Sequence, residues 1–269
     1  MRNIAFILTL FFSLSSSAQF QVVGGTYEKL AKLYNQAKYE SCLFKADDYT
    51  FKAESSKDAE PFLYMSLCFY QLSISEDSDL REDYKDGFKQ AVNYAGRFIK
   101  KDKEGEMYND NIEFINHLKE IQKKEIKEEF DKAEYRKTVA AAKLYTKLNR
   151  EEDLCFTYFI GMNEVMSNNV SQGERTIDEA VKQLNEKLAA NAFKADPLVK
   201  SLVVDAILKY SEFLVNQKQL ESAHNQLEFA LRLFPNDGYI KLQYNVVKQA
   251  YDKQLKEKEK EKEEAEQNQ

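Results

Sequence analysis

Apolar residues in this chain recur at steps of three and four. Phe62, Met65, Phe69 and Leu72 show the pattern, and Leu118, Ile121, Ile126 and Phe130 continue it. It returns in Ile207, Tyr210 and Leu214, then in Leu220, Ala223, Leu227 and Ala230. This period places apolar side chains on one face of an α-helix, and that face must be buried against a neighbour. Sheets need frequent turns, yet the 269 residues contain only three prolines and eight glycines. The expected fold is all-α. The periodic segments come in pairs separated by short polar turns, which predicts antiparallel helix hairpins.

The hairpins look alike. Asn35-Gln36-Ala37-Lys38-Tyr39-Glu40-Ser41-Cys42 can be laid over Asp131-Lys132-Ala133-Glu134-Tyr135-Arg136-Lys137-Thr138. Asn216-Gln217-Lys218-Gln219-Leu220-Glu221-Ser222-Ala223 fills the same place near the C-terminus. Each has a small residue three positions after Tyr39, Tyr135 or Leu220, where two helices could approach. Reuse of one hairpin marks a repeat architecture.

These residues resemble the tetratricopeptide repeat. Residues 204–237 span that family's period of 34. Ile207, Tyr210, Ser211 and Leu214 match its first helix, and Ala223, Leu227 and Ala230 match its second. Pro235 falls where the family's proline stops the second helix, and Asp237 is placed to cap the next one. Looser matches are Tyr27, Leu30, Ala31 and Tyr34; Phe62, Met65, Ser66 and Phe69 with Phe88, Ala91, Ala95 and Phe98; and Ile177, Ala180, Leu184 and Leu188. One continuous helix over 109–130 is expected, longer and more polar than the repeat. The resemblance implies an α-solenoid of about five hairpins with a C-terminal capping helix, and protein or peptide binding.

Residues 1–18 read as a signal peptide: Arg2, a short apolar run, then Ser16 and Ala18 at the positions a signal peptidase reads. The expected domain is 19–251, followed at 252–269 by a charged tail. There Lys and Glu alternate from Lys256 to Glu263, so like charges stand four apart and the tail is expected to fray. The chain is thus expected to be exported, to the periplasm of a Gram-negative bacterium, and the leader resembles those of Bacteroidota envelope proteins. No later segment is apolar for long enough to cross a membrane. The net charge of −6 argues against nucleic acid as a partner. Cys42, Cys68 and Cys155 are an odd number, so a complete disulfide framework is excluded and buried thiols are expected.

The motifs of catalysis are missing. His117 and His224 lie on polar helix sides, far apart in sequence, and are expected at the surface. There is no Gly-rich phosphate loop or nucleophile elbow, and Gly161 reads as a helix-packing glycine. No catalytic, cofactor-binding or metal-binding residue is assigned, and the protein is not expected to be an enzyme. The expected function is an interaction scaffold in the cell envelope, binding a protein or peptide, including a membrane-protein complex, in secretion or outer-membrane assembly. First helices of such hairpins line the concave face, which assigns partner binding to Leu63, Leu67, Tyr70 and Gln71, and to Leu208, Glu212, Val215 and Asn216. A neighbouring hairpin or the N-terminal segment could instead cover them. Two other classes stay open: an enzyme with a degenerate helical active site, and a self-assembling structural protein.

Overall fold

The computed structural model describes residues 20–197 and 199–267; the signal peptide and cleavage point expected from the sequence lie outside the described residues. Among the described residues there are thirteen α-helices, one 3-10 turn and no strand. The helices are α1 (Glu28–Asn35), α2 (Tyr39–Phe51), α3 (Glu60–Ser73), α4 (Ser78–Asp83), α5 (Gly87–Lys101), α6 (Glu106–Asp110) and α7 (Ile112–Asp131). They continue with α8 (Tyr135–Tyr145), α9 (Leu154–Met166), α10 (Val170–Ala189), α11 (Lys200–Asn216), α12 (Leu220–Leu233) and α13 (Gly238–Gln267). The 3-10 turn Thr146–Leu148 follows α8. Extensive contacts join α1 to α2, α3 to α5, α7 to α8, α9 to α10 and α11 to α12, and each pair also touches a pair next to it in the chain.

Four pairs share one turn. Ala37, Ala133, Asn168 and Lys218 adopt positive φ, between 55° and 67°. In each turn that residue's N–H donates to the carbonyl three residues back. The next N–H donates five back, as Lys38 to Leu33 at 3.0 Å and Gln219 to Leu214 at 2.9 Å. This double bond pattern satisfies carbonyls that the end of the first helix would leave unpaired. Glycine is the usual residue there, and here alanine, asparagine and lysine take its place. The self-similarity of the sequence aligned Ala37, Ala133 and Lys218, and these are the residues at the turn.

Small residues set the distance between paired helices. A Cβ on Gly161 would fall 2.9 Å from the Ile177 nitrogen, and one on Gly173 would fall 2.6 Å from the Val165 nitrogen. Between α3 and α5 the fully buried Ser66 donates its hydroxyl to the Ala91 carbonyl at 2.7 Å. Cys42, Thr138 and Ala223, four residues into their second helices, are also fully buried. Two hydrophobic clusters result, one built on α1 to α5, the other on α8 to α13. Helix α7 serves both: Phe114, Ile115 and Leu118 belong to the first, Ile126 and Phe130 to the second.

The expected helix over 109–130 is broken at Asn111, whose φ of −112° and ψ of 21° separate α6 from α7. Asp237 caps α13, accepting from the Tyr239 and Ile240 nitrogens at 3.1 Å each. The charged run Lys256 to Glu263 continues α13 through to Gln267. Cys42, Cys68 and Cys155 are buried free thiols.

Opposite effects are expected at two of these positions. Gly173→Ala should destabilise the fold by about 1–3 kcal/mol, because helix backbone cannot yield to the added methyl. Lys218→Gly should stabilise it by about 1 kcal/mol, because glycine tolerates positive φ without a Cβ clash. Urea unfolding followed by circular dichroism measures both; a stabilised Gly173→Ala would overturn the close helix contact, and a destabilised Lys218→Gly would overturn the turn strain.

Candidate functional site: a groove occupied by the chain's own arm

Helix α3 is buried on almost every side, because α2, α5 and a non-helical arm, residues 20–26, surround it. Leu63 and Leu67 are 0% and 1% exposed, and Tyr70 is buried as well. The expectation of an open partner surface at these residues is therefore corrected. They form the floor of a groove between α3 and α7, and the arm lies over it.

The arm is held at three points. The Phe20 ring packs against Phe114 at 5.2 Å, His117 at 5.0 Å and Tyr70 at 6.4 Å between centroids. At Val23 the main-chain N–H donates to Asn111 Oδ1 at 3.0 Å, and Asn111 Nδ2 donates back to the Val23 carbonyl at 3.1 Å. One amide side chain thus reproduces the paired bonds that a neighbouring strand would make. Its Nδ2 also donates to the Met107 carbonyl at 2.8 Å, which fixes the break between α6 and α7. At the third point the Glu60 carboxylate, 4% exposed, accepts from the Thr26 nitrogen, the Thr26 hydroxyl and the Tyr27 nitrogen at 2.7–3.0 Å. Gly25 lets the arm pass close to this carboxylate, since a Cβ would fall 2.7 Å from Glu60 Oε1 and push it aside.

His117 is not the surface histidine expected. It is half-buried, and its Nε2 and the Tyr70 hydroxyl share a hydrogen bond of 2.5 Å. Burial, with help from Lys124, holds its imidazole below the usual range. His224 is also half-buried, its ring packed at a tilt against Tyr244 and Tyr251. Phe69, expected in the core, is half-buried and stacks on Tyr94 at 5.3 Å. Gln71 is buried and faces away from the groove, lining a cleft beside the α1–α2 turn.

At the other end Glu212, Val215 and Asn216 do come together, lining a cleft of about 280 Å³ with Val246 and Ala250 of α13. Leu208 does not join them and packs on the second cluster. Beside this cleft α13 leaves Tyr239, Leu242 and Val246 exposed. The α3 and α11 residues belong to different clusters and do not form one surface.

A larger cleft, about 950 Å³, opens at the seam of the two clusters and is lined by Tyr108, Lys119, Arg150, Asp153, Lys187 and Asp196, among others. Sequence reading missed it because its residues come from α6, α7, α9, α10 and two loops. Lys119 is 8% exposed and makes no hydrogen bond or ion pair among the described residues. Burial lowers its ammonium below the ordinary lysine range, while the Asp196 and Asp153 carboxylates pull the other way; burial wins. Asp153 accepts from the Phe156 nitrogen at 3.1 Å through Oδ1, while its Oδ2 is buried without a partner among the described residues. Burial raises its carboxyl, against the Phe156 hydrogen bond. Among the described residues no cluster of three metal-ligating side chains occurs, and no helix is long and apolar enough to cross a membrane.

The sign of the Lys119 shift yields a test. A lysine depressed in the fold sheds its proton before the unfolded chain does. The charged form therefore costs stability at neutral pH, and that cost fades as pH rises towards 10.5. Lys119→Met should raise stability at pH 7 by about 1 kcal/mol, with the gap to wild type narrowing as pH increases. A less stable variant would mean that attraction to Asp196 and Asp153 outweighs burial.

No protein-family model, curated protein or solved structure matches this chain.

Proposed function

We propose that the chain is a non-catalytic interaction scaffold: an α-solenoid of tetratricopeptide-like hairpins, capped by α13, that holds a protein partner along its first helices. The observation that carries this reading is the main-chain clamp at Asn111. A side chain that pairs with both main-chain polar groups of one residue recognises peptide backbone whatever the side chains are. The setting is the envelope of a Gram-negative bacterium, in secretion or outer-membrane assembly, which rests on the leader-like start of the sequence.

A second reading, a helical enzyme, has one observation in its favour. Lys119 and Asp153 share a cleft, and both are displaced towards their neutral forms, as proton-transfer groups often are.

The scaffold reading predicts that the tagged full chain, purified from envelope extracts, co-elutes with another protein in a fixed ratio. Val246→Asp should leave the melting temperature unchanged, because the side chain is 57% exposed. Loss of the partner in that variant would place it on the α11–α13 cleft, and retention would place it elsewhere on the array. Elution of the chain alone at every salt concentration would overturn the scaffold reading.

A further inference from the structure

The arm is an incomplete occupant of its groove. A cleft of about 350 Å³ remains between it and the floor, lined by Leu63, Leu67, Asn111 and Phe114. Val23 is still 51% exposed although its main chain is clamped. Asp110 and Glu113 line the same cleft, and neither makes a hydrogen bond or ion pair among the described residues. Residues 20–26 carry no charge to answer them. The arm also has a built-in break point. Gly24 adopts a φ of 72°, and Gly25 follows it against Glu60. Glu60 holds Thr26 and Tyr27 independently of whatever lies before the glycines.

We infer that this groove binds an extended segment of a partner protein, and that residues 20–23 are its resident competitor, hinged at Gly24 and Gly25. The partner segment has an aromatic residue in the Phe20 slot and lysine or arginine in place of Gln21. Its main chain pairs with Asn111 at the Val23 position. The aromatic slot selects through Phe114, Tyr70 and His117, and the two carboxylates select a basic neighbour. This inference rests on the scaffold reading above and adds to it the chemistry of the partner.

The test uses labelled peptides of residues 20–26 and fluorescence anisotropy on the purified full chain. A peptide carrying Gln21→Lys should bind about threefold tighter than the native sequence, and one carrying Gln21→Glu about threefold weaker. That difference should vanish in about 1 M salt, where charges are screened within ~3 Å. Chains with Val23→Pro, which removes the N–H donor to Asn111, should bind each peptide about tenfold tighter than wild type, because the competitor is weakened. Phe20→Ala is the second arm variant, used should the proline disturb folding, and should act in the same direction.

Absence of saturable binding to either arm variant at about 1 mM peptide would overturn the site. Equal affinity of wild type and both arm variants would overturn the competitor role, and preference for the Gln21→Glu peptide would overturn the basic partner. A dimer that Val23→Pro abolishes, seen by sedimentation, would assign the groove to a second copy's arm instead. A co-eluting partner that the Gln21→Lys peptide does not displace would sink this assignment and leave the scaffold reading standing.

Discussion

Between α9 and α10 two glycines, Gly161 and Gly173, face each other, and neither helix could carry a side chain there without moving its neighbour's backbone. The same device recurs with other small residues: Ser66 against Ala91, and buried Cys42, Thr138, Ser211 and Ala223 in the remaining pairs. Close approach lets the larger side chains further along each helix interlock, and dense packing of such side chains is what makes burial favourable. Because the contact is local to each pair, the chain builds its core in units rather than around one centre. Two clusters form, and α7 ties them together by contributing to both.

That division places the clefts. Where the two clusters meet, polar and ionisable side chains line the seam or lie just behind it. Lys119 and Asp153 line it and the fully buried Tyr145 lies beside it, and Tyr145 and Asp153 each have a buried oxygen without a partner among the described residues. Unpaired polar atoms in a folded interior are costly. Similar atoms occur elsewhere in the fold, on Gln122, Asn163 and Gln226, so the cost is shared along the array.

Helix α3 shows the opposite case, a helix enclosed on nearly every side. Its apolar residues do not follow one stripe, because Leu63, Leu67 and Tyr70 supplement Phe62, Met65 and Leu72. A helix with two apolar faces needs two partners. The arm supplies the second, and since its main-chain groups lie outside any helix, Asn111 and Glu60 supply the hydrogen bonds. The break between α6 and α7 belongs to this arrangement, because the Asn111 side chain serves the arm and the end of α6 at once.

The sequence by itself determined that the chain is helical and where most helices lie, because apolar period and scarcity of glycine and proline are local properties. It also marked the turn residues Ala37, Ala133 and Lys218 through their repetition, and the cap at Asp237 through the preceding proline. Whether Leu63, Leu67 and Tyr70 would be a surface or a floor could not be read in the same way. Their own helix gives them the same spacing in either case, and the covering segment begins some forty residues away. The pairing of Gly161 with Gly173 and the gathering of Lys119 with Asp153 depend likewise on how separate helices meet. Tertiary structure decided these, because burial belongs to a residue's neighbours in space, and period reports only its neighbours along the chain.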